Sequence, residues 1–261
     1  MHSGGPLPQG STVAPIKHRH AYVQALYVVC SAFVIFLGAQ LVGAVLVSVV
    51  GGLVFGTGGD AMTNALENNI TVRFLLTLAI ELLTVWFVYS ALKAKKLSLK
   101  SIGISKELKA SYVVEALKGY ALYFVIFLSV LTVVGALGII DTNQSQQLGF
   151  NNPTGFGLVL TFLSLVILPP IAEEVLFRGY LYQRLKAHVP VIAAVVTSVL
   201  FSVAHLEFGT GSPLNWAAAL DTLILSFVLI RLTDHTKSLW PAIFLHTIKN
   251  AIAFTSLFLL K

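Results

Sequence analysis

The first long apolar stretch of the chain decides the fold class, and it reads YVQALYVVCSAFVIFLGAQLVGAVLVSVV from Tyr22 to Val50. It contains no Asp, Glu, Lys or Arg, and it exceeds the roughly 20 apolar residues that a helix needs to cross a bilayer. A helix pairs every backbone N–H and C=O within the segment, which lipid requires because it offers no hydrogen-bond partners. The stretch therefore predicts a transmembrane helix.

The composition extends this prediction to the whole chain. Of 261 residues, 56% are hydrophobic and 11% are charged, and the mean hydropathy is +0.85, whereas about 25% of the residues of a soluble domain are charged. So few charges cannot cover a soluble protein of this length, and that class is excluded. The net charge of +6 fits orientation signals and contacts with membrane lipids, and we expect no nucleic-acid partner. The single cysteine, Cys30, excludes an intrachain disulfide.

We predict an all-α integral membrane protein, a bundle of about seven transmembrane helices. The predicted spans are Tyr22 to Val50, Thr71 to Leu92, Tyr120 to Ile140, Phe156 to about Lys186, Val191 to Leu206, Asn215 to Leu232, and Leu239 to Leu260. Residues 1–20, rich in Gly, Pro, Ser and His, predict a disordered tail. Residues 21–150 would hold the first three helices and a basic loop, and residues 151–261 a second transmembrane domain that carries the functional groups.

The segment between the second and third spans combines lysines with regularly placed Leu and Ile. This pattern predicts a short amphipathic segment on the membrane surface, with a solvated loop as the open alternative. A cytoplasmic amino terminus, with the chain in the cell membrane, would put 14 of the 17 basic residues on the cytoplasmic side. These are Lys17, Arg19, Lys93, Lys95, Lys96, Lys100, Lys106, Lys109, Lys118, Arg178, Arg184, Lys186, Arg231 and Lys237.

Ionisable residues within or beside the predicted spans concentrate in the second half of the chain. The first half has Glu81, and the second half has Glu173, Glu174, Arg178, His205, Asp221, His246 and Lys249, with Asn250 beside the last. Such groups are costly in a bilayer unless they face the bundle interior, a partner or a water-filled cavity. We therefore expect the functional site in the second half.

Three short pieces carry these groups at helical spacing: Glu173-Glu174-Val-Leu-Phe-Arg178, Phe201-Ser-Val-Ala-His205 and His246-Thr-Ile-Lys-Asn250. Residues four apart share a helix face, so Glu174 can meet Arg178, and His246 and Asn250 can face one cavity. A hairpin about His188 brings Glu173 and His205 to nearly the same depth, about 3 Å apart along the axis. Straight helices would nevertheless place His246 at a different depth. A structural ion pair, a core histidine and an interhelical hydrogen bond remain open readings of the three pieces.

The same groups suit amide hydrolysis. That reaction needs a base for water, a donor for the developing oxyanion and a proton route to the leaving amine. Ser202 lies on another side of the helix from His205 and is not expected to be a nucleophile. We assign Asp221 and Glu81 packing or hydration roles, and we expect Lys249 to point away from the site.

The three motifs, in this order on successive helices, resemble the CAAX protease and bacteriocin-processing (ABI) family of intramembrane endopeptidases, including its type II CAAX prenyl endopeptidases. The resemblance covers roughly Gly155 to Ala253, and it makes residues 151–261 the catalytic domain. It implies that Glu173 activates water with help from His205, and that His246 and Asn250 stabilise the oxyanion. It also implies that Glu174 and Arg178 organise the site.

The resemblance implies no cofactor, although zinc on Glu173, His205 and His246 is an alternative; the zinc signature His-Glu-x-x-His is absent from the sequence. It implies a peptide or lipidated protein substrate, such as a prenylated CAAX-like peptide, and leaves the oligomeric state open. The main alternative is a non-catalytic membrane protein for bacteriocin immunity or for regulation of a partner. A third is a small transporter with a proton relay through Glu81, Asp221 and the histidines.

Overall fold

The computed structural model describes residues 16–55, 64–65, 68–104, 107–141, 144, 149–150, 152–206 and 214–260. Within these ranges all regular structure is helical. The helices are α1 (Ile16–Phe55), α2 (Ile70–Ala94), α3 (Ala110–Ala136), α4 (Phe156–His188), α5 (Pro190–Ala204), α6 (Trp216–Thr236) and α7 (Trp240–Phe258). A 3₁₀ turn, Leu99–Ile102, lies between α2 and α3. The predicted all-helical class is confirmed.

Five of these helices, namely α1, α2, α3, α4 and α6, are long and apolar enough to cross a membrane. The protein is therefore a multi-pass membrane protein. Helix α5 is a shorter apolar helix of 15 residues, about 22 Å long at 1.5 Å per residue. That is less than the roughly 30 Å of a hydrocarbon core. Of the seven predicted spans, five are thus confirmed in the described residues, whereas α5 and α7 are not among the helices long and apolar enough to cross a membrane.

Several predicted helix boundaries differ from the structure, in part because hydropathy marks the part of a helix that lipid surrounds rather than its ends. Helix α3 begins at Ala110 instead of Tyr120, and its first turns contain the ion pair of Lys118 Nζ with Glu115 Oε1 at 2.7 Å. It ends before Gly138, whose positive φ of 63° stops the helix. Helix α1 begins at Ile16, inside the predicted tail; the rest of that tail, residues 1–15, lies outside the described residues.

The buried side chains form two apolar clusters. One cluster joins α1, α2, α4 and α5 around residues such as Val28, Val88 and Leu181. The other joins α3, α6 and α7 around Leu225 and Leu245. Helices α1, α2 and α3 leave most of their surface outside the protein, whereas over half of α6 is buried. Helix α6 thus lies inside the bundle while α1–α3 face lipid.

The segment between α2 and α3 docks onto the bundle through its apolar side. Ile102 is buried, and the carbonyl of Gly103 accepts a hydrogen bond from the Leu239 N–H at 2.9 Å. Six lysines of this segment and the start of α3 are exposed: Lys93, Lys95, Lys96, Lys100, Lys109 and Lys118. Lys106 lies outside the described residues. The buried Ile102 thus contacts protein near the start of α7, whereas the position of the segment on the membrane surface stays a prediction.

Candidate active site

Helix α4 carries the acidic motif, and it is not a regular α-helix. Two π-helical segments, Leu163–Ile167 and Glu174–Tyr182, interrupt it, and Pro169 and Pro170 begin the α-helical piece between them. Proline has no N–H to donate to the preceding turn, and π-segments widen a helix, often at functional sites. The second π-helical segment contains Glu174 and Arg178, so the irregular part of α4 includes most of the acidic motif.

Glu174 forms the charged centre of the site. Its Oε1 accepts a hydrogen bond from Arg178 Nη1 at 2.9 Å, and both side chains are fully buried. The Arg178 guanidinium lies 4.0 Å from the centre of the Phe201 ring, so the aromatic face also contacts the buried cation. The pairing of Glu174 with Arg178 that the helical spacing predicted is confirmed.

The same Glu174 oxygen orients His246. His246 Nδ1 lies 2.9 Å from Glu174 Oε1; since the carboxylate accepts, Nδ1 carries the proton and donates it. The other ring nitrogen, Nε2, then points towards Glu173, 3.8 Å from its Oε2. The ion pair on α4 thus fixes the imidazole of α7.

His205 has the same arrangement from the opposite side. It follows directly after α5, and its Nδ1 donates to the Phe201 carbonyl at 2.8 Å. Its Nε2 lies 3.9 Å from Glu173 Oε2. That oxygen is buried and has no hydrogen-bond partner in the described part of the chain. The Nε2 atoms of both histidines thus lie within 4 Å of the same carboxylate oxygen.

Asn250 reaches the site from the next turn of α7. Its Nδ2 donates to the carbonyl of Leu165 on α4 at 2.9 Å, and both residues line the same cavity as His246. The prediction that His246 and Asn250 face one cavity is confirmed. The hydrogen bond to Leu165 is a contact that the sequence motif did not indicate.

The expected mismatch in depth between the two histidines disappears because α7 starts deep in the bundle. A Cβ built on Gly179 would lie 3.0 Å from Leu239 Cδ1, so the start of α7 is level with Gly179 rather than with the turn between α4 and α5. From that level Glu173 lies six residues away and His246 seven. These similar separations agree with the 3.8 Å between His246 Nε2 and Glu173 Oε2.

Residues 155–252 match the family model described as type II CAAX prenyl endopeptidase Rce1-like. This segment is similar to that family, and we refer to residues 155–252 below as the Rce1-like domain. The match includes all three motifs and the six side chains named above, while α1–α3 lie outside it. No curated protein and no solved structure matches the chain. The family supports a CAAX-type intramembrane protease in general, associated with the membrane and acting on a peptide.

The cavity beside the site is shared between the Rce1-like domain and the amino-terminal helices. Its volume is about 550 Å³, and Glu173, His205, His246 and Asn250 all line it. Further wall residues come from α1 (Phe36 and Gln40), from α2 (Thr77, Glu81 and Thr84) and from α7 (Phe254 and Leu257). The amino-terminal helices thus shape the cavity that the Rce1-like domain opens into.

The sequence did not predict one polar cluster that borders the cavity. Lys249 Nζ forms an ion pair with Asp221 Oδ2 at 2.7 Å, and the hydroxyl of Tyr123 donates to the other oxygen of Asp221. The prediction that Lys249 points elsewhere is wrong, because it lines the cavity. Lys249 lies three residues after His246, so both side chains share one face of α7. That spacing could have indicated that Lys249 faces the cavity.

The expectation for Ser202 agrees with its contacts. Its Oγ donates to the carbonyl of Ala219 at 2.6 Å, which ties α5 to α6. The hydroxyl donates to that carbonyl, and the side chain is buried. Ser202 is therefore a packing residue of the Rce1-like domain.

Proposed function

We propose that the protein is a glutamate-dependent intramembrane endopeptidase that cleaves a peptide bond with an activated water molecule. The observation that carries this proposal is the convergence of Glu173 Oε2 with Nε2 of His205 and Nε2 of His246, at 3.9 and 3.8 Å. A carboxylate oxygen that has no hydrogen-bond partner among the described residues, close to two imidazoles in a cavity, suits general base catalysis. The Rce1-like match supports the reaction class.

In the proposed reaction, a water molecule lies between Glu173 and His205. Glu173 takes one proton from the water while the Nε2 lone pair of neutral His205 accepts a hydrogen bond from the other. The water oxygen forms a bond to the scissile carbonyl carbon, and the carbonyl becomes an oxyanion. Glu173 then passes its proton to the amide nitrogen, the C–N bond breaks, and the amine leaves.

The oxyanion would be stabilised from α7. His246 can donate from Nε2 when that nitrogen also carries a proton, and Glu174 at Nδ1 supplies the negative charge that an imidazolium requires. Asn250 uses one N–H for the Leu165 carbonyl, and its second N–H remains for the oxyanion. Glu174 and Arg178 do not touch the substrate in this scheme and act by orienting His246.

The proposed substrate is a membrane-associated or lipidated peptide, with a prenylated CAAX-like peptide as the first candidate. The apolar walls formed by Phe36, Phe254 and Leu257 suit an apolar chain beside the polar site. The description of the matching family also names a CAAX prenyl endopeptidase, which supports a prenylated peptide as the substrate.

The proposal is tested by cleavage in proteoliposomes. The probe is a quenched fluorescent peptide with a farnesylated cysteine three residues from its carboxyl end, and the same peptide without the lipid is run beside it. We expect Glu173→Gln, His205→Ala and His246→Ala each to lower kcat/KM at least 100-fold. Glu107→Gln, which removes one exposed carboxylate outside the bundle, is the matched control and should cleave at the wild-type rate.

Equal turnover by wild type and Glu173→Gln would overturn the proposed site. Full biological complementation by Glu173→Gln without cleavage would favour the non-catalytic alternative in immunity or regulation. The proposal also assigns no metal. A chelator such as 1,10-phenanthroline should leave cleavage unchanged, whereas loss of cleavage with recovery on added zinc would favour zinc on Glu173, His205 and His246.

We further propose that the amino terminus and the lysines between α2 and α3 face the cytoplasm of a cell membrane. The six described lysines from the end of α2 to the start of α3 are exposed. The positive-inside rule places such lysine-rich segments on the cytoplasmic side. Labelling of a cysteine introduced at Lys100, in a Cys30→Ser background, tests the orientation. An impermeant maleimide should label it in inverted vesicles and not in intact cells; the reverse pattern would overturn the orientation.

A further inference from the structure

We infer that Pro169 and Pro170 are positioning residues, which hold the Asn250 carboxamide in place by leaving the Leu165 carbonyl without a backbone donor. The inference rests on the proposed function, because it explains how the proposed oxyanion donor of α7 is oriented. Neither proline touches the reacting atoms in this scheme.

The argument begins with the hydrogen-bond pattern of α4. A helical carbonyl accepts from the N–H four residues later in an α-helix and five residues later in a π-helix. For Leu165 those two positions are Pro169 and Pro170, and neither has an N–H. Leu165 lies in the π-segment Leu163–Ile167 that ends just before the proline pair. The backbone of α4 therefore has no N–H at either position that would normally pair with this carbonyl.

An unpaired carbonyl inside a membrane protein is costly, so it attracts a donor from elsewhere. Asn250 Nδ2 supplies that donor at 2.9 Å, across the contact between α4 and α7. A carbonyl oxygen only accepts, so the amide must present its nitrogen and not its oxygen to Leu165. The proline pair thus determines which way round the carboxamide is held.

The second N–H of Asn250 has no partner among the residues that the structure describes, so it can donate into the cavity. An amide nitrogen carries two hydrogens in a fixed plane, and Leu165 occupies one of them. Leu165, Pro169 and Asn250 all line the cavity that contains Glu173. The two histidines have the same arrangement, since His205 is held from behind by the Phe201 carbonyl and His246 by Glu174. Each of these three donors, two imidazoles and one carboxamide, therefore has a fixed acceptor behind it.

A purely structural role for the prolines predicts a different outcome from the positioning role. In Pro169→Ala or Pro170→Ala, the new N–H can pair with the Leu165 carbonyl, in the α or the π pattern. This should regularise α4 and leave the melting temperature unchanged or higher, because alanine suits a helix interior better than proline. Positioning predicts that activity falls even though stability does not.

The experiment is a double-mutant cycle in proteoliposomes with the farnesylated probe peptide. For Pro169→Ala/Pro170→Ala we expect kcat to fall about 10-fold or more with KM within twofold of wild type, as expected when a transition-state contact is lost. Adding the same change to Asn250→Ala should cost less than a further twofold, because the group being positioned is already absent. Pro190→Ala and Pro241→Ala, which alter prolines in the first turns of α5 and α7, are matched controls that should retain wild-type kcat.

A second readout does not depend on turnover. Selective ¹⁵N-asparagine labelling, with Asn250→Ala to assign the signal, reports the side-chain amide of Asn250 directly. We expect its resonance to shift in Pro169→Ala/Pro170→Ala and to stay in place in Pro241→Ala. An unchanged resonance, or a loss of kcat that multiplies fully with that of Asn250→Ala, would overturn the inference. If the amide shifts but neither wild type nor Glu173→Gln cleaves the probe, the positioning geometry stands and the proposed function fails.

Discussion

His246 on α7 donates its Nδ1 proton to Glu174 on α4 across 2.9 Å, and the same carboxylate oxygen accepts from Arg178. One buried oxygen therefore connects a charge pair within α4 to the imidazole of another helix. Because Nδ1 is held in this way, Nε2 is the ring nitrogen that faces Glu173. The separation of roles within the Glu173-Glu174 pair follows from this contact: Glu174 is fully enclosed, while Glu173 lines the cavity.

Glu174→Gln should destabilise the protein more than removal of an ordinary surface charge. Arg178 would remain fully buried without its counter-ion, and breaking a buried pair from one side costs roughly 3–5 kcal/mol. The measurement is thermal unfolding in detergent micelles. Glu115→Gln, whose partner Lys118 is exposed, is the matched control and should unfold close to wild type. Equal melting temperatures for the two variants would contradict the prediction.

Phe201→Ala should weaken both folding and activity. The Phe201 ring is fully buried and contacts the Arg178 guanidinium, the Phe177 ring at 5.0 Å and the His246 ring at 5.9 Å between centroids. We expect a loss of about 3 kcal/mol, the low end for buried phenylalanine, because lipid rather than water surrounds the protein. Thermal unfolding in detergent micelles measures this loss of stability. Phe227→Ala, on the exposed side of α6, should cost far less; a similar loss there would argue against a specific role for Phe201.

The sequence predicted the local part of the site well, for a physical reason. Helical periodicity relates residues within one turn, so the spacing of Glu174 and Arg178 was sufficient to predict their pairing. The hairpin about His188 involves two helices joined by a short turn, and counting residues along it placed Glu173 and His205 at one depth. Their distance of 3.9 Å agrees with that prediction.

The sequence did not predict contacts between helices distant in the chain. The ion pair of Lys249 with Asp221, held by Tyr123, requires α3, α6 and α7 to meet, and no local spacing encodes that meeting. The bond of Asn250 to Leu165 requires knowledge that α4 becomes π-helical before its prolines. Hydropathy finds apolar segments but says nothing about which faces meet, because every face of such a segment is apolar.

Gly43 should tolerate substitution less well than Gly52, although both are in the same helix α1. A Cβ at Gly43 would lie 2.7 Å from Ile80 Cγ1 and 3.3 Å from the Ile80 backbone nitrogen on α2. Small residues allow such close helix contacts in membranes. A Cβ at Gly52 would meet nothing within 4 Å. Gly43→Ala should cost roughly 1–3 kcal/mol by overpacking, measured as thermal unfolding in micelles, and Gly52→Ala should cost little.

Gly43→Ala should leave the chemistry itself intact where the protein is folded. Its contact joins α1 to α2 and does not involve Glu173 or the histidines. We therefore expect kcat per folded molecule to stay near the wild-type value at low temperature. Equal stability of Gly43→Ala and Gly52→Ala would show that α1 and α2 separate easily, and would contradict the close contact.

Asp221→Asn should destabilise the protein, and the further substitution Lys249→Met should restore most of the lost stability. Lys249 and Asp221 are mostly enclosed, with side chains 22% and 18% exposed, so removal of the carboxylate leaves a cation in the cavity without its counter-ion. We expect a loss of about 2 kcal/mol, below the usual range for a buried pair because cavity water screens the charge. The hydroxyl of Tyr123 would also exchange a charged acceptor for a neutral one.

Lys249→Met in the Asp221→Asn background removes the unpaired cation while keeping a side chain of similar length. Replacement of both partners of an ion pair is often nearly neutral, whereas removal of one is not. The double variant should therefore recover to within about 1 kcal/mol of wild type in thermal unfolding, a coupling that a double-mutant cycle isolates. If the two losses simply added, Lys249 would owe its position to packing of its stem along α7, and the ion pair would not be what holds it in the cavity.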